Sequence, residues 1–305
     1  MVGSLARNAG RVAVAGALTI AFSAILVRKA NVAPATAAVF RCAYAVPPLA
    51  ILYWIERRRH GPRSSREIRL SLWAGLFFAG DLICWHYAIE DVGAGLATVL
   101  GNLQVVLVGV VAWLTLGERP DRRVIAAVPI ALFGIVLISG VVGSHAYGRD
   151  PARGVIFGVA TGLTYAAFIL ILRQSGRDLR RPVGPLFEAT ASATVFSAIA
   201  GLAIGDVNFV PSWPSHAWLL LLALSSQVVG WLLISVSLPR LPAALTSVLL
   251  TVQPVGSVIL GVILLGESPS IVQLIGVVCI FSGVVVATAR RSAVPSGRAV
   301  AVQDG

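Results

Sequence analysis

Spans of about 20 apolar residues recur along almost the whole chain, and no other feature limits its fold so tightly. Each is long enough to cross the ~30 Å hydrocarbon layer of a bilayer as a helix. They lie near residues 11–28, 34–55, 70–89, 94–116, 124–143, 154–173, 184–204, 215–238, 242–265 and 270–289. Backbone groups in lipid must be satisfied within the segment, which leaves helices or a closed barrel, and a barrel would show short alternating strands instead. The expected fold is therefore an all-α polytopic membrane protein with ten transmembrane helices. Only 12% of the 305 residues are charged and 57% are hydrophobic, against roughly 25% charged in soluble domains. A secretory signal peptide does not account for the first span, because further spans follow and LVRKANVAPATAAVF offers no small-residue cleavage site.

The net charge of +11 invites a nucleic-acid reading, but its distribution argues against one. The basic residues sit in short connections, where they orient a protein in a membrane. With the N-terminus in the cytoplasm, the inside segments hold nineteen Lys and Arg, dominated by the groups Arg57–Arg69, Arg119–Arg123 and Arg173–Arg181. The outside segments hold four: Arg28, Lys29, Arg149 and Arg153. This bias predicts a multi-pass protein of the cytoplasmic membrane with both termini inside. Trp54, Trp73, Trp213 and Trp218 fall near span ends, as interfacial anchors do. Cys42, Cys84 and Cys279 all lie in apolar spans at spacings that match no zinc pattern, and read as packing residues. No metal or cofactor is expected.

The chain repeats itself. Residues 94–139 lie on 243–288 without gaps, with 13 identities in 46 positions, and LGERP at 116–120 meets LGESP at 265–269. Gln104 meets Gln253, VFR at 39–41 meets LFE at 186–188, and GDLICW at 80–85 meets SQVVGW at 226–231. Each unit holds five spans, so the second enters the membrane from the opposite side. The expected organisation is a first repeat over 1–145, a second over 146–290 and a flexible cytoplasmic tail over 291–305. Inverted repeats of this kind are a common plan for secondary transporters, with the site near the midplane between them.

These features together resemble the EamA-type branch of the drug/metabolite transporter superfamily. The likeness is carried by the two LGE tripeptides, by Phe40–Arg41, by GDLICWHYAI running into ATVLGNLQVVLV, and by GWLLISVSLPRLPAALTSVLLTVQPVGSVILG. It covers roughly residues 11–290. The resemblance implies a carrier of small metabolites, most often an exporter, with a central cavity lined by the first, third, fourth, sixth, eighth and ninth spans. One departure stands out. The ninth span has Gln253–Pro254 where the fourth has Gln104–Val105, which puts in doubt a proline kink in the fourth.

Asp81 is the sharpest candidate for function. A carboxylate at membrane depth costs ~3 kcal/mol or more, so it should face the bundle interior and bind a cationic group or carry a coupling proton. Trp85, four residues on, shares its helix face and can stack on a ring or cation. His86 lies ~140° around the helix and is expected to bond a neighbour. Gln227 and Trp231 match Asp81 and Trp85 in the second half, so the tryptophan is duplicated and the ionisable group is not. Gln104, Gln253 and Asn102 either line a polar cavity or tie helices together, with no more than one of Asn102 and Gln104 facing the cavity squarely. Arg41 and Glu188 occupy matching positions with opposite charge. They either pair across the pseudo-two-fold axis or act as separate gates. Glu118 and Glu267, in the LGE motifs, read as structural or gating groups that bond backbone at helix ends. Tyr44 and Tyr165 are secondary candidates.

The function expected is a secondary transporter moving a small organic molecule by alternating access, with protons as candidate coupling ion and a homodimer as candidate assembly. The rival readings are an intramembrane lipid-modifying enzyme built on Asp81 and His86, and a scaffold with no cavity. HExxH and GxSxG are absent, which counts against an enzyme, and GxxxxGK[ST] is absent, which counts against a nucleotide-driven pump.

Overall fold

The computed structural model describes residues 9–107, 122–142, 145–178, 180–237 and 252–288. Every regular element among them is helical. Six helices are long and apolar enough to cross a membrane: α1 (Ala9–Ala30), α2 (Pro34–His60), α3 (Ser65–Val92), α6 (Pro151–Ser175), α7 (Val183–Ile204) and α8 (Trp213–Ser237). Four shorter apolar stretches complete the set: α4 (Ala94–Leu107), α5 (Arg122–Ile138), α9 (Val252–Leu265) and α10 (Ile271–Thr288). Each expected span overlaps one of these helices, and residues 108–116 of the fourth span and 242–251 of the ninth lie outside the described residues. The chain is a polytopic all-α membrane protein.

Local chemistry sets the boundaries. Pro34 opens α2 at its first position, where a missing N–H costs nothing. Pro47 and Pro48 follow a break at Tyr44–Ala45, because neither can donate to the preceding turn. Ser64 and Glu67 form a capping box at the start of α3, with Ser64 Oγ accepting from the Glu67 N–H and Glu67 accepting from the Ser64 N–H. α3 ends at Gly93, whose φ of 90° suits glycine and lets α4 begin at the next residue. α8 contains a π-helical segment over Ala223–Gly230.

Close packing relies on small residues, as helix association in lipid requires. α5 and α10 pack chiefly on each other. A Cβ on Gly134 would lie 2.7 Å from the Gly276 carbonyl oxygen, and one on Gly276 would lie 2.7 Å from that of Gly134. α3 meets α6 and α7 along its length. Large apolar side chains such as Ile51, Phe133, Ile156, Leu202, Ile263 and Val278 point outward, as expected of a surface solvated by lipid. Trp54, Trp73, Trp213 and Trp218 are also outward-facing, and the Arg58 guanidinium lies 3.5 Å over the Trp54 ring.

Candidate functional site

A cavity of about 60 Å³ lies among α1, α2, α3, α4, α6, α8 and α9. Each of the six helices that the family resemblance implies contributes a lining residue, and α2 adds Arg41. The volume suits a few ordered waters, which need ~10–15 Å³ each.

Phe78, Asp81, Leu82 and Trp85 come from the middle of α3, at spacings of three and four residues that keep them on one helix face. Asp81 is only 6% exposed. Its carboxylate has neither a hydrogen bond nor an ion pair among the described residues. Trp231 from α8 and Tyr165 from α6 line the same cavity, with their rings in a T-shaped contact at 6.1 Å. Phe78 stacks on Phe168 at 4.4 Å, and both rings make T-shaped contacts with Trp231. Trp231 Nε1 and Thr161 Oγ1 are buried with no hydrogen-bond partner among the described residues.

Asn102, Gln104 and Gln253 supply three amides to the same cavity, and none has a side-chain partner among the described residues. Asn102 and Gln104 both line it, while the sequence predicts that no more than one faces it squarely. The reason is local. The α-helical part of α4 ends at Gly101, and Leu103, Val105 and Val106 donate to carbonyls three residues back, at 2.9–3.2 Å. These tighter turns bring residues two apart toward one side. The break occurs although Val105 stands where the ninth span has proline.

Arg41 lines the cavity too and does not pair with Glu188. Its Nε donates to Gln227 Oε1 at 3.2 Å and its Nη2 to Ser226 Oγ at 3.2 Å. Its guanidinium lies 5.5 Å from the Trp85 ring centroid. Gln227 is fully buried and stands behind Arg41, with its amide donating to Thr190 Oγ1 at 3.1 Å. Gln227 thus positions Arg41 and is not itself a lining group. The π-helical segment of α8 carries both Ser226 and Gln227 and ends one residue before Trp231.

His86 lies away from the cavity. Its Nδ1 bonds the Pro34 carbonyl at 3.1 Å, while Nε2 is buried without a partner among the described residues. Glu188 meets Arg63 instead of Arg41, in a buried ion pair at the end of the bundle where α2 turns into α3. Arg63 also donates to Ser71 Oγ at 3.2 Å and to the Ser175 carbonyl at 2.7 Å. Glu267, two residues past the end of α9, accepts from the Ala94 and Gly95 N–H groups at 2.6 and 3.1 Å, so it caps α4. Glu118 lies outside the described residues. Tyr44, in the interior of α2, bonds His216 and is not among the lining residues of the cavity.

Thr161, Ser23 and Thr98 also reach the cavity and were not singled out from the sequence. Thr161 had a usable signal: it precedes Tyr165 by four residues and therefore shares its face. Among the described residues no group of three or more His, Cys, Asp or Glu could hold a metal ion.

Comparison with known proteins shows the family. The EamA-like transporter family matches twice, over residues 11–140 and 152–289. The chain belongs to the EamA-like transporter family. It is similar to the uncharacterized transporter YxxF of Bacillus subtilis (strain 168), with 24% identity over 237 residues, 75% of this chain and 72% of that protein. It is also similar to an uncharacterized transporter of Archaeoglobus fulgidus, with 25% identity over 56% of this chain and 59% of that one. A solved crystal structure at 18% identity superposes with a TM-score of 0.61, covering 92% of this chain and 98% of its own, and shares the fold. As an EamA-like transporter, the protein is a multi-pass membrane protein that handles a small-molecule substrate in the bilayer.

Proposed function

We propose that the protein is a secondary carrier that exports a small organic molecule across the cytoplasmic membrane by alternating access, coupled to protons through Asp81. The observation that carries this reading is the cavity itself. It gathers a carboxylate and three amides that have no side-chain partner among the described residues, with a buried hydroxyl and a buried indole N–H, from both family-matched halves of the chain. Buried polar groups are nearly always satisfied, so a cluster left open implies water or a ligand in their place. A scaffold would pack such groups against each other.

The reading includes two inverted five-helix repeats, 1–145 and 146–290, with both termini in the cytoplasm. The doubled family match supports the division. So does an exchange of helix caps. Glu56 near the end of α2 accepts from the Val183 and Gly184 N–H groups at the start of α7, at 2.9 and 2.8 Å. Asp206, just past the end of α7, accepts from the Ala35 N–H at the start of α2 at 3.4 Å. The two helices occupy the same place in their respective halves, and each is held at its N-terminus by a carboxylate from the other.

Protein reconstituted in liposomes and offered amino acids, amines, bases and sugars, with and without a pH gradient, should show counterflow of at least one solute and pH-driven accumulation. In Asp81→Asn, pH-driven accumulation should fall to background. Undiminished accumulation in that variant removes Asp81 as the proton carrier. Counterflow of no solute, alongside turnover of a lipid, removes the carrier reading.

A further inference from the structure

Six arginines lie within residues 57–69, where α2 turns into α3, and the fold divides them. Arg63 turns inward to Glu188. Arg57, Arg58, Arg59, Arg66 and Arg69 are exposed and form no ion pair among the described residues. The carboxylates nearby already have work. Glu56 is buried on the Val183 and Gly184 N–H groups, Glu67 closes the capping box of α3, and Asp178 is held by Arg180 and Arg181. The segments outside the described residues bring no net negative charge, since they carry six arginines against Glu118, Asp121 and Asp304.

The array also has a fixed shape. Arg63 donates to the Ser175 carbonyl and Arg181 to the Pro62 carbonyl, both at 2.7 Å, so the turn is tied down from the inside. On each arm an aromatic ring stands one turn from an exposed arginine. Trp54 precedes Arg58 by four residues on α2, and Trp73 follows Arg69 by four on α3, a rise of ~6 Å. Arg66 precedes Arg69 by three and shares its face. Both rings are more than half exposed, at 53% and 59%, and the Arg58 guanidinium lies over the Trp54 ring. The headgroup layer is roughly 5–8 Å deep on each side of a bilayer. Rings seated at the hydrocarbon boundary therefore put these guanidiniums among the phosphates.

We propose that the α2–α3 connection is a docking surface for anionic phospholipid headgroups, with the five exposed arginines on the phosphates and Trp54 and Trp73 fixing the depth. Guanidinium suits this partner, because it binds phosphate bidentately and stacks on aromatic faces. Orienting charges act by their number near a span, and need no such pairing with rings. A zwitterionic headgroup carries its own ammonium and offers the array no net attraction. Free phosphate or a nucleic acid would meet the charges but leave both rings without an apolar neighbour.

The test is tryptophan fluorescence of the full chain in phosphatidylcholine bilayers with both leaflets alike, so that orientation does not matter. Brominated phosphatidylglycerol or brominated phosphatidylcholine is included at the same low fraction, since bromine quenches the rings it touches. Phosphatidylglycerol should be preferred by about 5-fold or more, the worth of one basic group at an anionic surface. About 0.5 M NaCl should reduce the preference by screening. Trp54→Phe/Trp73→Phe should remove the excess quenching, and Arg58→Gln/Arg66→Gln/Arg69→Gln should bring the preference close to one while the protein still elutes as a single species. Equal quenching by the two lipids, a preference that salt does not reduce, or one unchanged in either variant overturns the proposal. The salt arm needs no variant, so the proposal stays open to refutation if the triple substitution does not fold. Sodium phosphate that abolishes the preference where NaCl of equal ionic strength does not would make free phosphate the occupant and overturn the lipid.

Discussion

Glu188 and Arg63 are each more than 90% covered, at 6% and 7% exposure, so their charges must be met inside the protein. The Arg63 guanidinium does this with a planar fork. It reaches Glu188, Ser71 Oγ, and the carbonyl and hydroxyl of Ser175, which ties the α2–α3 connection to α3, α6 and α7. Removing one partner of such a pair leaves the other as an uncompensated buried charge, at a cost of ~3–5 kcal/mol. Glu188→Gln should therefore lower the thermal midpoint of the detergent-solubilised protein clearly, and Arg63→Ala should do the same. The double variant Arg63→Met/Glu188→Leu should recover much of the loss, because it leaves no charge stranded. A single variant as stable as the parent would show that the pair is not held shut in solution. Sequence reading did not find this partner. Arg63 sits in a loop where basic residues already have a reason to be, as orienting charges, and nothing in the pattern separates it from Arg57 or Arg66. The need for a partner was legible in Glu188, while its identity depended on how the loop folds back.

At the scale of the element, the recurring device is a carboxylate placed on the N-terminus of a helix from the other part of the chain. The first N–H groups of a helix have no partner within it, and the dipole favours an anion there. Glu267 serves α4, Glu56 serves α7 and Asp206 serves α2. The approach of Glu267 needs glycine, since a Cβ on Gly261 would lie 2.4 Å from its Oε2. Glu267→Ala should cost ~1–2 kcal/mol of stability, in the range for lost caps. Glu267→Gln should cost less, because the amide oxygen still accepts. Equal loss in both, measured by thermal denaturation, would point to the charge and not to the hydrogen bonds. The two LGE motifs were visible as a repeat, and a bond to a neighbouring helix end was among the expectations. Which helix receives the bond was not readable, because the motif describes the donor of the cap and not its recipient. The path of α4 was hidden for a related reason. Sequence rules tie a break to proline, whereas Asn102–Leu103 departs from the α-helix by shifting to shorter hydrogen bonds.

For the whole molecule, ten spans were readable because lipid forces every backbone group into local hydrogen bonds, so hydropathy and helix nearly coincide. The cavity was partly readable, since intramembrane polar residues carry their own cost and must face inward. Asp81, Trp85 and Trp231 follow from that logic. His86 and Gln227 obey it as well, but they meet their cost by bonding Pro34 and Arg41, which composition cannot foresee. Orientation is a property of the assembled chain, and the charge bias predicts it. Arg59 is exposed at the end of α2 rich in basic residues. Val210, 82% exposed, lies beyond the opposite end of α7. The natural cysteines sit within apolar helices, so replacing them with alanine gives a quiet background. In that background, a membrane-impermeant maleimide applied to intact cells should label Val210→Cys and spare Arg59→Cys until the membrane is opened. The reverse pattern would invert the topology. It would also place the Arg63–Glu188 pair at the outer face, and the direction of export would then have to be drawn again from the cavity alone.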